Sequence, residues 1–427
     1  MPVANLVSLL GMVVLLALAW ALSNNRRAFP WRTVLWGLGL QMTFAVLLLR
    51  TGWGQAAFRG LRAVVVQVLA FTDHGSEFVF GPLFRTSPDF VAELGAGKTW
   101  WEGIDPGTGE PVAVGLVFAI HVLPIIIFFC SLMGILYHLG VMQRLIQGMA
   151  WVMRKTMKTS GAETLSVSAN IFVGQTEAPV VIRPYLSGLT QSELMAVMTG
   201  GFATVAGSVM AAYVRFGIDA GHLLTASVLS APAALVMAKI MLPESDHSRA
   251  DAAATVSFEH QHANVIEAAA AGASDGVKLA LNVGGMLIAF IALVAMVNFA
   301  LGWVGLSLQQ IFGWVFAPLA WTMGVPWGEA ATFGNLLGTK IAVNEFVAYI
   351  ELMKAQGSGA LSPRAVVIGT YALCGFANFS SLAIQIGGIG AMAPERRGDL
   401  ARLGLKAMFA GAFASWLTAC VAGFLLN

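Results

Sequence analysis

The sequence has few charged residues for its length. Of 427 residues, 24 are Lys or Arg and 22 are Asp or Glu, so only 11% are charged. Soluble globular chains have roughly 25%. Hydrophobic residues make up 57% of the chain, and the mean hydropathy is +0.76. This composition excludes a cytosolic enzyme, a nucleic-acid-binding protein and a disordered chain, and it predicts a protein of the lipid bilayer.

Cysteine is also scarce, and its placement excludes two further classes. The three cysteines, Cys130, Cys374 and Cys420, lie in apolar runs without CxxC spacing, so we expect neither a disulfide framework nor a zinc site. The net charge of +2 provides no basic surface for nucleic acid. Because no basic region precedes the apolar N-terminal stretch, we interpret that stretch as a membrane span and not as a cleaved signal peptide.

Long apolar runs, in contrast, are abundant. A helix needs about 20 mostly apolar residues to cross the hydrocarbon. Runs of that kind predict eight transmembrane helices, at 1–25, 33–49, 111–143, 194–214, 220–238, 279–304, 365–394 and 407–427. Basic residues in the short loops 24–32 and 395–402 place these loops in the cytoplasm and both termini in the periplasm. An apolar stretch with two arginines, 55–70, predicts a helix lying in the membrane interface.

Two further stretches, 161–186 and 328–350, are too polar for ordinary spans and too apolar for ordinary loops. Each has two short apolar arms that meet at a polar centre containing a carboxylate, Glu177 in the first and Glu345 in the second. Irregular backbone at membrane depth is tolerated only where protein or a watery cavity satisfies its polar groups. We therefore interpret both stretches as re-entrant helical hairpins, the alternative being loops outside the membrane.

The two halves of the chain resemble each other in the order of these features. A span containing Gly-Phe-Ala follows each hairpin, with Thr204 after the motif in the first half and Asn378 in the second. Under the assigned topology the hairpins enter from opposite sides, which is an inverted repeat. Transporters use such repeats to form a substrate site near the middle of the bilayer.

The two hairpin carboxylates lie in apolar surroundings, where an ionised group costs at least about 2.5–3.5 kcal/mol. Glu177 and Glu345 are therefore candidate functional residues. The alternative is an ion pair that only holds helices together, with Arg183 or Lys340 as the partner. No arginine stands at either polar centre, as a site for a highly charged ligand would require.

The neighbouring side chains predict the chemistry of a ligand. Amides and hydroxyls, with the aromatic ring of Phe376, suit a neutral, hydroxyl-rich and partly flat molecule. The alternative for Asn378 and Ser381 is hydrogen bonding between helices. Unwound backbone near the first hairpin tip, at Asn170 and Val173, with the hydroxyl of Thr204, could also coordinate a coupling cation.

Three motifs resemble those of the concentrative nucleoside transporter family in its short bacterial form. They are Ala169-Asn170-Ile171-Phe172-Val173-Gly174-Gln175-Thr176-Glu177-Ala178-Pro179, Gly338-Thr339-Lys340 with Asn344-Glu345-Phe346-Val347-Ala348-Tyr349, and Cys374-Gly375-Phe376-Ala377-Asn378-Phe379-Ser380-Ser381. The resemblance covers roughly residues 113–427. It implies a homotrimer in the bacterial inner membrane, with no cofactor besides a coupling ion.

The resemblance also implies roles for individual residues. The nucleobase is held by Gln175, Thr176 and Glu177, with Val209 lining the pocket, while the ribose is held by Glu345, Asn378 and Ser381, with Phe376 beside them. The sodium positions are Asn170, Val173, Thr204 and Val205. Thr204 stands where the family often has Ser, and some bacterial relatives use protons, so a proton-coupled symporter is the alternative. A passive channel and an intramembrane hydrolase using Glu177 and Glu345 are further alternatives.

Together these observations predict an all-α polytopic membrane protein that imports uridine-like nucleosides by Na⁺ symport and is not an enzyme. The expected organisation is two N-terminal spans with an interfacial and outer segment at 1–112, a scaffold span at 113–140, a first repeat at 141–242, a polar cytoplasmic loop at 243–276, a scaffold span at 277–306 and a second repeat at 307–427. The choice between purine and pyrimidine nucleosides stays open.

Overall fold

The computed structural model describes residues 3–81, 84, 102–104, 111–113, 117–245 and 262–426. Helices form most of this part. In chain order they are α1 Val3–Ala21, α2 Trp31–Arg50, α3 Gly52–Phe80, α4 Phe118–His121, α5 Leu123–His138, α6 Val141–Met157, α7 Gly161–Ala169, a 3-10 helix Ala178–Gly188, α8 Gln191–Ala203, α9 Gly207–Arg215, α10 Ala220–Met241, α11 Val265–Gly302, α12 Leu308–Thr322, α13 Trp327–Ala342, α14 Glu345–Gly357, α15 Pro363–Leu373, α16 Phe379–Met392, a 3-10 turn Pro394–Arg396 and α17 Arg397–Leu425.

Extended structure is confined, within the described residues, to one short antiparallel pair, β1 Glu102–Ile104 with β2 Pro111–Ala113. Strand β1 lies in the predicted outer segment, but β2 covers the first residues of the predicted span 111–143, where α4 begins at Phe118. The predicted interfacial helix 55–70 forms the middle of α3, which begins after Thr51, whose hydroxyl accepts a hydrogen bond from the Gly54 N–H at 3.0 Å. The all-α prediction is confirmed.

Seven helical segments of the described chain are long and apolar enough to cross a membrane. They correspond to α1, α2, α4 with α5, α8 with α9, α10, α11, and the 3-10 turn with α17. The predicted span 365–394 differs, because residues 374–378 are not helical and divide it into α15 and the shorter apolar helix α16. The predicted count of eight crossings therefore stays a prediction.

The two halves contain the same order of elements. In the first half α6 precedes a hairpin of α7 and a 3-10 helix, then the broken pair α8 and α9, then α10. In the second half α12 precedes a hairpin of α13 and α14, then the broken pair α15 and α16, then α17. The hairpins thus occupy the positions predicted for them. The opposite orientation of the two halves in a membrane stays a prediction.

Residues 265–276 of the predicted polar loop 243–276 are helical, while the point at which the following span enters the membrane stays a prediction. Helix α11 already begins at Val265, since the side chain of Asn264 accepts a hydrogen bond from the Glu267 N–H at 2.9 Å and caps the helix. The added residues are rich in alanine, the best helix former. They also pack against α5, where the Ser131 hydroxyl donates to the Ala269 carbonyl at 2.9 Å. Residues 246–261 of the loop lie outside the described part.

A buried ion pair holds the base of the first hairpin. Glu163 closes a capping box with Ser160, and its other carboxylate oxygen lies 2.8 Å from Lys239 Nζ on α10. The two side chains are 1% and 7% exposed. Lys239 also contacts Ser192 Oγ at 3.0 Å and Glu244 at 3.2 Å. These contacts join α7, α8 and α10 into one unit.

We predict that Lys239→Met strongly destabilises the protein. Removing one partner of a buried ion pair leaves an uncompensated charge and costs about 3–5 kcal/mol. The apparent Tm of the detergent-solubilised protein measures the effect. Adding Glu163→Gln to Lys239→Met should restore part of the loss, because no buried charge then stays unpaired.

Lys278→Met is the matched control. Lys278 pairs with Asp275 at 3.0 Å, but both side chains are 71% exposed, so its replacement should change stability by less than about 1 kcal/mol. Equal Tm changes for Lys239→Met and Lys278→Met would contradict the structural role of the buried pair.

Candidate functional site

Four interruptions of helices meet in the interior. The first hairpin turns at 170–177, between α7 and the 3-10 helix, and the second at 343–344, between α13 and α14. Helices α8 and α9 are separated at 204–206, and α15 and α16 at 374–378. Parts of all four interruptions line one cleft, which therefore receives polar backbone and side chains from both halves.

The cleft encloses about 610 Å³ including its open mouth. Its lining includes all eight residues predicted to bind substrate: Gln175, Thr176, Glu177, Val209, Glu345, Phe376, Asn378 and Ser381. Helix α11 contributes an apolar wall of Leu279, Val283 and Met286. The structure thus brings together residues that lie more than 200 positions apart in the sequence.

Glu345 is held by two neutral donors. Tyr213 donates its hydroxyl to one carboxylate oxygen and Asn378 donates its amide to the other, each at 2.9 Å. Asn344 caps α14 by accepting from the Val347 N–H at 3.0 Å, so Glu345 lies in the first turn of that helix, where a negative charge is favoured. A carboxylate has about four acceptor positions. Both oxygens of Glu345 can therefore accept further hydrogen bonds from a ligand.

The ion pair considered between Lys340 and Glu345 is not formed. Lys340 is fully buried, and its Nζ donates instead to the Ala372 carbonyl at 2.9 Å and the Ser415 hydroxyl at 2.8 Å. Arg183 is exposed and forms no ion pair with Glu177 in the described part of the chain. Neither Glu177 nor Glu345 therefore forms the ion pair that was considered for it from the sequence.

Asn378 forms the interhelical hydrogen bond that was considered as an alternative to ligand binding. It caps α16, since its Oδ1 accepts from the Ser381 N–H at 2.8 Å and the Ser380 hydroxyl at 2.7 Å. Its amide nitrogen donates to Glu345. Because both ends of the amide are engaged, its orientation is fixed. The bond joins two residues of the predicted site, so it organises the cleft.

The first hairpin contributes its tip to the opposite side of the cleft. Glu177 accepts from the Gly174 N–H at 3.1 Å, and its side chain is exposed within the cleft. Gln175 is 7% exposed, and its Oε1 accepts from Gln385 at 3.1 Å. Val209, on α9, is buried against this side.

Two residues that organise the cleft were missed by the sequence reasoning, Tyr213 and Gln385. Both stand four positions after a predicted residue on the same helix, Tyr213 after Val209 and Gln385 after Ser381. Side chains at this spacing lie on one helix face. Helical spacing could therefore have found them, although their partners on other elements could not be known.

The predicted cation positions lie on two segments that are joined by a hydrogen bond from the Gly207 N–H to the Phe172 carbonyl at 3.0 Å. Asn170 donates to the Ser166 carbonyl at 3.1 Å, while its Oδ1 is buried without a hydrogen-bond partner. Thr204, at the end of α8, donates to the Gly200 carbonyl at 2.9 Å. Val173 and Val205 are buried beside them. The described residues contain no His, Cys, Asp and Glu group suited to a metal ion, so a cation here would depend on amide, hydroxyl and backbone oxygens.

Comparison with known proteins identifies the family. Residues 10–83 and 222–423 match the N-terminal and C-terminal parts of the Na⁺ dependent nucleoside transporters, and residues 119–220 match a nucleoside recognition domain. An uncharacterized transporter of Haemophilus influenzae is 46% identical over 98% of this chain and 97% of its own length. The chain belongs to the Na⁺-dependent nucleoside transporter family. The concentrative family that its motifs resemble is thereby confirmed.

Other members of this family extend the comparison. Sodium/nucleoside cotransporter 1 of Mus musculus is 44% identical over 99% of this chain, and the chain spans 64% of the length of that relative. The structure of CNTnw in an inward-facing, substrate-bound state is 45% identical with a TM-score of 0.88, over 98% of both chains. A CNTnw variant in an outward-facing state is 42% identical with a TM-score of 0.87, over 99% of this chain and 98% of that one. The named relatives are transporters, which places the chain among transporters and not among enzymes.

We predict that Gly375→Ala disrupts the site of this transporter. Gly375 lies in the interruption between α15 and α16 with a φ of +138°, and a Cβ there would lie 2.6 Å from the Phe202 carbonyl oxygen on α8. The substitution should cost more than about 1 kcal/mol, because it adds both strain and a clash. A lower apparent Tm is expected. Gly387→Ala, in the helical part of α16 with open space around the added atom, should leave the Tm unchanged or raise it.

Proposed function

We propose that the protein imports nucleosides together with Na⁺ across the bacterial inner membrane, through alternating access of the cleft. The observation that supports this most is Glu345, a buried carboxylate at a hairpin tip that neutral donors hold with acceptor positions to spare. Such a group matches the hydroxyls of a ribose and not an anionic ligand. The family to which the chain belongs acts on nucleosides and sodium.

The substrate is a uridine-like nucleoside that lies across the cleft. Glu345, Asn378 and Ser381 face the ribose, while the hairpin tip at 175–177 faces the base. Val209 and Phe376 provide apolar area for the flat base. The ribose thus faces polar groups from the second half of the protein, and the base faces polar groups from the first half.

Sodium binds beside the first hairpin tip, at Asn170, Val173, Thr204 and Val205. The buried and unpartnered Oδ1 of Asn170 supports this position, because an isolated amide oxygen away from water is costly unless it finds a partner. Val173 and Gln175 are two residues apart in the same turn. A cation that orders this turn therefore also positions the base-binding residues. By linkage, sodium raises the affinity for the nucleoside by the same factor as the nucleoside raises the affinity for sodium.

Transport requires the hairpins and broken helices to move against a scaffold. The paired helices α5 and α11 provide it, and α11 offers apolar side chains to the cleft as a surface for sliding. CNTnw has been captured in inward-facing, intermediate and outward-facing states, which agrees with such a motion. We further propose a homotrimer around this scaffold, with both termini in the periplasm.

Uptake into proteoliposomes tests the proposal. Under an inward sodium gradient, labelled uridine should accumulate above its external concentration, and the accumulation should collapse when the gradient is removed. Uptake that never exceeds equilibrium would indicate a channel, accumulation driven by a proton gradient alone would indicate proton coupling, and release of free base would indicate a hydrolase.

We predict that Glu345→Gln abolishes uptake. Because the Asn378 NH₂ can only donate, the glutamine oxygen would face Asn378 and its NH₂ group would face Tyr213, so the acceptor positions of one oxygen would be lost to Tyr213 and to the ribose. Uridine affinity should fall at least about 100-fold, as expected when a site built for hydrogen bonds is left unpaired. Glu351→Gln on the same helix is the control, since Glu351 contacts Asn335 and Thr339 and does not line the cleft. Unchanged uridine affinity in Glu345→Gln would remove this residue from the site.

We predict that Thr204→Ala weakens the sodium dependence of uptake while the protein stays folded. The substitution removes a hydroxyl oxygen from the proposed cation position, and the half-saturating sodium concentration should rise about tenfold, the loss of roughly one hydrogen bond to a charged group. Thr199→Ala is matched, since Thr199 lies on the same helix and donates to the Met195 carbonyl at 2.7 Å. If the sodium titrations of both variants equal that of the unmodified protein, the cation binds elsewhere.

A further inference from the structure

Gln385 is buried behind the cleft and holds the side chain of Gln175. Its Nε2 lies 3.1 Å from the Met198 carbonyl oxygen and 3.1 Å from Gln175 Oε1. A backbone carbonyl can only accept a hydrogen bond, so the Gln385 atom facing it must be the amide nitrogen. That nitrogen carries two hydrogens, and the second acceptor must be the oxygen of Gln175. The Met198 carbonyl therefore determines the orientation of both amides.

The consequence for Gln175 is that its oxygen is engaged inside the protein, while its NH₂ group is the end available to the cleft that Gln175 lines. We propose that Gln385 fixes Gln175 as a hydrogen-bond donor toward the nucleobase, so that the transporter selects bases with a carbonyl at this edge over bases with an exocyclic amine. The selection favours uridine, with its 4-oxo group, over cytidine, with its 4-amino group. This inference rests on the proposed nucleoside transport.

The packing around Gln385 and Gln175 opposes the reversed orientation of the Gln175 amide. Gln385 is completely buried on α16, and a Cβ at Gly201 of α8 would lie 2.7 Å from Gln385 Nε2 and 2.9 Å from Gln175 Cβ. The Gln385 amide and the Gln175 Cβ thus lie against the bare backbone of α8 at Gly201. If Gln175 turned over, its NH₂ would face the NH₂ of Gln385, and a buried hydrogen bond would be lost. Such a loss corresponds to a discrimination of about tenfold or more.

Gln385 does not line the cleft, so it acts on the substrate only through Gln175. It is a positioning residue, and its removal should change the preference between bases more than the binding of nucleosides as such. A residue with a merely structural role would lower stability and the affinities for all nucleosides together. The ratio of two affinities separates these cases.

Competition against labelled uridine, with purified protein in saturating sodium, measures this ratio for Gln385→Met. We expect the unmodified protein to bind uridine about tenfold or more tightly than cytidine. In Gln385→Met, Gln175 can turn freely, and the ratio should fall to less than about threefold, mainly through tighter cytidine binding. A ratio that stays unchanged in Gln385→Met would overturn the proposal.

Gln41→Met is the matched control. Gln41 is also completely buried, and its Nε2 donates to the Leu229 carbonyl at 3.3 Å and the Thr418 hydroxyl at 2.9 Å, away from the cleft. The loss of a buried amide is therefore the same, but the preference for uridine should stay that of the unmodified protein. A matching fall of the ratio in Gln41→Met would also overturn the proposal.

A second measurement needs no variant and covers the case in which Gln385→Met does not fold. The unmodified protein is tested with the riboside of pyrimidin-2-one, which has neither the 4-oxo group of uridine nor the 4-amino group of cytidine and whose N3, as in cytidine, carries no hydrogen. It should bind about tenfold or more weakly than uridine, and equal binding of uridine, this analogue and cytidine would overturn the inference. Sodium-driven uptake without base preference would leave the proposed function intact, whereas no nucleoside uptake at all would overturn that function.

Discussion

A helix that ends inside a bilayer leaves backbone N–H and C=O groups with no water to bind them, and this constraint governs the centre of the protein. The chain interrupts its helices at the two hairpin tips and within two further helices. Each interruption must be satisfied by nearby protein groups. Asn344 and Asn378 do so by capping the helices that restart after them. Polar residues required by backbone chemistry are thereby concentrated in one place, and the proposed site is built from them.

This origin explains why the site is rigid. Asn378 accepts from its own helix with one end and donates to Glu345 with the other, so a helix cap also positions the carboxylate. Lys340 contributes in a different way, because its amine satisfies the Ala372 carbonyl just before the interruption of the second half. In the first half the buried lysine, Lys239, pairs with Glu163 at the hairpin base instead. The halves share an order of elements, but their buried lysines lie on different elements, α10 and α13, and satisfy different groups.

Much of this arrangement could be predicted because polar residues are conspicuous in so apolar a chain. Glu177 and Glu345 marked both hairpins, and the eight predicted substrate residues line one cleft. The helix over residues 265–276 was not predicted, since the alanines after Asn264 look like a continuation of the polar loop unless the cap is recognised. The partners of Lys340 and Gln175 could not be predicted, because Ser415 and Gln385 reach them only through tertiary packing. Local patterns indicate which polar residues belong to the site, but not which distant residues form hydrogen bonds with them.

The hydrogen bond between Gln385 and Gln175 crosses from one repeat to the other. Counted from the Gly-Phe-Ala motif, the position in the first half that corresponds to Gln385 is Ala211, which has no amide. Counted from the hairpin carboxylates Glu177 and Glu345, the position in the second half that corresponds to Gln175 is Val343, which also has no amide. No equivalent hydrogen bond can therefore form between the corresponding positions of the two halves. A protein assembled from two copies of either half would lack the bond between Gln385 and Gln175. The two halves are therefore complementary at this contact and not interchangeable, so a change in the amide of one half alters what the other half must supply.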